Sequence, residues 1–142
     1  MVFITNNADE TKKVGYELAK KLEDENSTSR YIALRGEMGV GKTAFTAGFA
    51  SYFDIKTVKS PTYTVMNEYR GKKTVYHFDM YRITDGDDLY SIGYDDYIES
   101  AAYCLVEWSE NIEDYIPENA LFVTIERLAE GEEMRRITID FK

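Results

Sequence analysis

Apolar and polar positions alternate along this chain in two periods, and the period changes after residue 60. Val2-Phe3-Ile4-Thr5 reads as a short strand. From residue 11 to about 25, Val14, Leu18, Ala19 and Leu22 recur at the spacing of a one-sided helix. Asn26-Ser27-Thr28-Ser29 closes it as a polar loop. Tyr31-Ile32-Ala33-Leu34 is a compact apolar strand that runs directly into a glycine-rich stretch. Beyond that stretch, residues 44–53 place Phe45, Phe49 and Ala50 at helical spacing.

The later part is strand-rich. Residues 62–69 and 73–79 flank Arg70-Gly71-Lys72 and predict a hairpin. Residues 85–91 and 94–100 predict two short helices broken at Gly93. Ala101-Ala102-Tyr103-Cys104-Leu105-Val106 is continuously apolar, the mark of a buried central strand, and it ends at Glu107. Residues 121–125 and 136–141 bracket a turn at Gly131 and predict a final hairpin. The expected class is α/β: a three-layer fold with a parallel core sheet extended by antiparallel strands and hairpins, in one domain over residues 1–142.

The glycine-rich stretch changes the picture from fold to chemistry. Gly36-Glu37-Met38-Gly39-Val40-Gly41-Lys42-Thr43 has the form of a phosphate-binding P-loop (Walker A), set between a strand and a helix as that loop requires. Its glycines let backbone N–H groups point inward at anionic phosphates, beside the start of the next helix. Lys42 brings a positive charge to the terminal phosphates, and Thr43 offers a hydroxyl to Mg²⁺. Glu37, Met38, Gly39, Val40 and Gly41 complete the nucleotide-binding loop. An acid at the end of a neighbouring apolar strand should complete the metal site. Two residues qualify: Glu107 after Tyr103-Cys104-Leu105-Val106, and Asp79 after Val75-Tyr76-His77-Phe78.

Other residues are less decided. The hydroxyls of Ser60-Pro61-Thr62 either face a γ-phosphate or serve an ordinary turn. Arg82 is expected to pair with a surface acid, and His77 to be packed or hydrogen-bonded. Trp108 reads equally as core or as an exposed contact. The 12 tyrosines suit half-buried faces of strands and helices, with a partner surface as the alternative.

Composition narrows the partners. Net charge is −9, so the chain has no long-range attraction to nucleic acid, and strong tRNA binding by this chain alone is not expected. One cysteine, Cys104, excludes an internal disulfide and suits a reducing cytoplasm. No apolar run reaches the roughly 20 residues of a membrane span, and residues 1–6 show no secretion signal. A GTPase would need an Asn-Lys-x-Asp element and an Asp-x-x-Gly switch, and neither occurs. A small-molecule kinase usually adds an Arg-rich lid, whereas residues 72–100 are acidic and Tyr-rich. A scaffold that binds nucleotide without hydrolysis is disfavoured by the two candidate acids.

Four blocks in order carry a resemblance. The Gly36 to Thr43 loop, Ser60-Pro61-Thr62-Tyr63, His77-Phe78-Asp79-Met80-Tyr81-Arg82 and Leu105-Val106-Glu107-Trp108 together resemble the TsaE (formerly YjeE) family from end to end. This is the bacterial ATPase family of tRNA threonylcarbamoyladenosine formation. The resemblance implies ATP binding with Mg²⁺, slow hydrolysis, and action on the TsaB and TsaD proteins of the threonylcarbamoyl transferase complex. It carries phosphate binding onto Lys42, metal binding onto Thr43 and Glu107, and metal or water positioning onto Asp79. It places Trp108 at the functional strand end and Thr11 near the nucleotide. It also implies that the turn at Glu130-Gly131-Glu132-Glu133 comes close to the nucleotide, although Glu132 stands where some relatives have a basic residue.

Overall fold

The computed structural model describes residues 1–61 and 64–141. Seven strands form one sheet in the order β1-β7-β6-β2-β5-β4-β3. They are β1 (Val2–Thr5), β2 (Tyr31–Arg35), β3 (Met66–Arg70), β4 (Thr74–Asp79), β5 (Tyr103–Glu107), β6 (Leu121–Arg127) and β7 (Arg135–Phe141). The centre, β4-β5-β2-β6, is parallel. β3 adds antiparallel at one edge, and β7 and then β1 at the other. This is the expected α/β class, with the parallel core and antiparallel extensions where the hydrophobic pattern put them.

Two apolar clusters cover the two faces. On one face, α1 (Ala8–Asp24) and α2 (Lys42–Ser51) bury Leu18, Phe45 and Phe49 against Ile32, Leu34, Leu105 and Val123. On the other, α3 (Gly86–Ser91), α4 (Tyr94–Ile98) and the 3-10 stretch Ser109–Tyr115 cover Ala33, Phe78, Cys104 and Val106. Alternate residues of β2 thus serve opposite cores, which is why the strand reads as wholly apolar. Among the described residues no helix is long and apolar enough to cross a membrane.

Three departures from the sequence expectation exceed two residues. α1 starts at Ala8 rather than residue 11, because the Asn7 side chain accepts the Glu10 amide N–H and caps the helix. β3 starts at Met66: the Thr64 and Val65 amides both donate to the Pro61 carbonyl, and Val65 takes a left-handed φ of 67°. Residues 62 and 63 of the expected strand lie outside the described residues. The 3-10 stretch after Trp108 has no apolar periodicity to announce it.

α1 and α2 cross at two glycines. A Cβ at Gly48 would lie 1.8 Å from the Lys12 carbonyl oxygen, and one at Gly15 would lie 2.2 Å from that of Phe45. Both obstacles are backbone, so the helices would have to separate. Gly48→Ala should therefore destabilise the fold by about 1–3 kcal/mol despite the better helix propensity of alanine, read as a lower urea midpoint. Cys104 packs under β5, and burial pushes its thiol up to about 12. It should stay unlabelled by a disulfide reagent at pH 8 in the folded protein and react at once in urea.

Candidate functional site

Three parallel strands deliver the site. β2, β5 and β4 run side by side, with Leu34 opposite Glu107 and Glu107 opposite Asp79. Their carboxyl ends therefore stop at one level, the usual place for a ligand crevice in such a sheet. The chain leaves β2 through the glycine-rich loop and re-enters as α2, whose first residue is Lys42. Gly36 has a φ of 146°, and a Cβ there would lie 2.5 Å from the Ile125 carbonyl oxygen, so only glycine fits both the turn and the contact. Val40 is buried in the core beneath the loop.

A cavity of about 620 Å³ opens at this level. It is lined by Met38, Gly39, Gly41, Lys42 and Thr43 from the loop and α2, and by Asp79 and Glu107 from the strand ends. Ser60, Tyr81, Arg82 and Trp108 close its sides. A larger, mostly apolar groove beside β1 and α1 holds neither the loop nor either acid, so it is not the candidate site.

The charged groups form a connected set. Lys42 Nζ donates to the Gly36 carbonyl oxygen at 2.9 Å and lies 3.8 Å from Glu107 Oε1. The ammonium also sits 5.0 Å from the centre of the Trp108 ring. Trp108, half-buried, has a left-handed φ of 59° and packs edge-on to Tyr81. His77, fully buried, donates from Nε2 to Glu107 Oε2 at 2.6 Å. Asp79 accepts the Tyr81 amide N–H through Oδ1 at 2.9 Å. Lys42, Asp79 and Glu107 are each only 6% exposed, so their mutual attraction is screened far less than that of surface charges.

The other anticipated residues divide between the cavity wall and its surroundings. Thr11 is buried behind the loop, its hydroxyl 3.0 Å from that of Thr5, and does not line the cavity. Glu37 points outward to Arg127 at 2.9 Å. Ser60 lines the cavity, while Thr62 lies outside the described residues. Gly131, Glu132 and Glu133 line a separate groove with Asn6.

The hairpin meets the loop through two arginines that sequence reasoning passed over. Arg127 and Arg135 are a cross-strand pair of β6 and β7. Arg127 donates to the Met38 carbonyl oxygen at 3.1 Å, and Arg135 to that of Val40 at 2.7 Å. Guanidinium donors thus satisfy two backbone carbonyls of the loop. The contacts span about 90 residues of chain, and only the β6–β7 register joins them.

Comparison with known proteins accords with this arrangement. A family model described as threonylcarbamoyl adenosine biosynthesis protein TsaE matches residues 5–137. The chain belongs to the TsaE family. The tRNA threonylcarbamoyladenosine biosynthesis protein TsaE of Bacillus subtilis is 38% identical over 136 residues, covering 94% of this chain and 81% of that protein. The Treponema pallidum TsaE is 30% identical over 137 residues, covering 96% and 97%. The crystal structure of Bacillus subtilis YdiB superposes with a TM-score of 0.77 at 31% identity, over 98% of this chain and 83% of that one. This TsaE-family chain thus carries the P-loop at the carboxyl ends of its parallel strands, with two buried acids beside it.

If Arg135 shapes the loop, Arg135→Ala should leave the melting temperature nearly unchanged and speed amide exchange locally at residues 38–41. Loss of one charged hydrogen bond predicts roughly a tenfold acceleration, measured by hydrogen–deuterium exchange.

Proposed function

We propose that this chain binds ATP with Mg²⁺ and hydrolyses it slowly, in support of threonylcarbamoyladenosine formation in tRNA. The observation that carries the reading is the meeting of Lys42, Thr43, Asp79 and Glu107 in one cavity at the mouth of a P-loop. The relatives' names supply the pathway. Loop N–H groups and the start of α2 would hold the phosphates. Lys42 would turn from the Gly36 carbonyl to the terminal phosphates, a short swing of a flexible side chain.

The donor set suits Mg²⁺. Among the described residues no group of three or more His, Cys, Asp and Glu gathers that could hold a metal by itself. Mg²⁺ does not need one: it takes one or two protein oxygens and fills its octahedron with waters and phosphate oxygens. Thr43, Asp79 and Glu107 supply such oxygens at the cavity wall. When bound, the ion would neutralise charge on the phosphates. Of the two acids, Asp79 accepts the Tyr81 amide N–H through Oδ1, and its Oδ2 would be offered to an ion or to an attacking water. Glu107 is held from both sides, by His77 and by Lys42.

The chain carries −9 net charge, which gives it no long-range attraction to tRNA. It is therefore suited to act on other proteins, and the tRNA would be handled by TsaB- and TsaD-type partners. ATP binding would stabilise one docked conformation, and hydrolysis would reset the transferase complex.

Lys42→Ala should weaken nucleotide binding strongly, with mant-ADP affinity falling by about ten- to a hundredfold, since the charge-assisted phosphate contact of the ammonium is lost while the loop N–H groups remain. Glu107→Ala should retain nucleotide but stop multiple turnover of tRNA modification in a reconstituted assay. Undiminished turnover in that variant would refute the reset mechanism. The sole tryptophan gives an optical check: moving the Lys42 ammonium off the Trp108 ring on adding Mg-ATP should change its emission.

A further inference from the structure

His77 belongs to no P-loop element, yet its side chain is wholly buried behind the cavity, with 0% exposure. It stands two residues before Asp79 on β4, on the same face of the sheet, opposite Leu105 and next to the Asp79–Glu107 pair. Its Nε2 donates to Glu107 Oε2. On its other side, Nδ1 lies 3.3 Å from the Tyr69 hydroxyl. That hydroxyl donates to the Lys59 carbonyl oxygen at 2.7 Å and accepts the Lys59 amide N–H at 3.0 Å. Asn67, opposite His77 on β3, adds an amide donor to the same Lys59 carbonyl at 3.2 Å.

These contacts form one continuous path. It runs from the backbone of Lys59 through Tyr69 and His77 to Glu107, and from Glu107 to Lys42 at 3.8 Å. Ser60, the residue after Lys59, lines the cavity that Glu107 also lines. The segment thus shares a cavity with the acid and is joined to it by hydrogen bonds behind that cavity.

We infer that His77 is a positioning residue that fixes the Glu107 carboxylate and, with Tyr69, couples it to the Lys59–Ser60 segment, a role that rests on the nucleotide reading above. The coupling has a definite chemistry. With its proton on Nε2, the neutral imidazole offers Nδ1 as an acceptor. The Tyr69 hydroxyl has one proton to divide between Nδ1 and the Lys59 carbonyl. When a phosphate at Ser60 draws the segment toward the cavity, the Lys59 carbonyl withdraws and the Tyr69 proton turns to Nδ1. A hydrogen bond accepted at Nδ1 polarises the ring and strengthens Nε2–H as a donor. Glu107 is then held more firmly when a ligand reaches Ser60. No proton leaves its residue in this rearrangement.

Three variants test this: His77→Leu, which keeps bulk without a donor; His77→Gln, which restores one N–H; and Tyr69→Phe. Three quantities are read for each: mant-ADP affinity in EDTA, the Mg²⁺ concentration giving half-maximal nucleotide affinity, and kcat and KM for ATP. His77→Leu should leave affinity in EDTA unchanged, raise the Mg²⁺ requirement and lower kcat, each by roughly 10- to 100-fold. His77→Gln should recover part of both. Tyr69→Phe should show a smaller loss in the same direction and remove the change in Lys59 amide exchange that Mg-ATP causes in the unmodified protein.

Equal defects in the Leu and Gln variants would overturn the inference, since bulk rather than donation would then decide. So would wild-type Mg²⁺ dependence in His77→Leu, or a loss of affinity in EDTA as large as that in Mg²⁺. An unmodified protein that neither binds nor hydrolyses ATP would instead overturn the nucleotide reading itself, before any variant is compared.

Discussion

The hydrogen-bonded register of the parallel strands is the constraint on which the site depends. Leu34, Glu107 and Asp79 lie opposite one another across β2, β5 and β4. A slip of one residue in β4 or β5 would turn Asp79 or Glu107 to the opposite face of the sheet. Such a slip would also turn Val75 and Phe78 of β4, or Leu105 and Val106 of β5, to the wrong core. Burial of those side chains, each worth on the order of 1.5–3 kcal/mol, therefore holds two carboxylates level with the P-loop. The acids themselves contribute little to that choice: bringing like charges together and out of water opposes folding. Lys42 and the hydrogen bond from His77 offset part of this opposition.

Most of this plan was legible in the chain because its signals are local. The P-loop lies within eight residues, between an apolar strand and an amphipathic helix. Glu107 and Asp79 each terminate an apolar run, and that is visible from either run alone. The pairing of His77 with Glu107 was not legible, since 30 residues separate them and only strand register brings them together. Arg127 and Arg135 escaped notice for the same reason. Each resembles an ordinary strand-end cation until the β6–β7 hairpin is laid under the loop. Thr11, placed near the nucleotide by resemblance, stands against the back of the loop: its hydroxyl pairs with that of Thr5, and its methyl lies 3.8 Å from where a Cβ at Gly41 would sit.

Local errors had local causes. The start of α1 was marked by Asn7 with Asp9 and Glu10 in the first turn, a cap and dipole signal that apolar periodicity does not register. Val65 sits in a β-branched run yet takes a left-handed turn, because its amide and that of Thr64 share the Pro61 carbonyl. Trp108 takes the same left-handed region immediately after Glu107. The strand thus ends abruptly there, and the ring turns over Lys42 rather than continuing along β5. Non-glycine residues in that region are uncommon and gather at functional sites.

The glycine crossing of α1 and α2 has a consequence for how variation in this chain would present itself. α2 begins with Lys42, so the joint that sets its distance from α1 also sets where the ammonium starts. A substitution at Gly15 or Gly48, between the two helices and outside the cavity lining, moves the whole rod. Its phenotype would be that of a ligand-binding lesion in a protein whose binding residues are all intact. Genetic dissection of the site would thus assign recognition to positions that touch nothing but another helix.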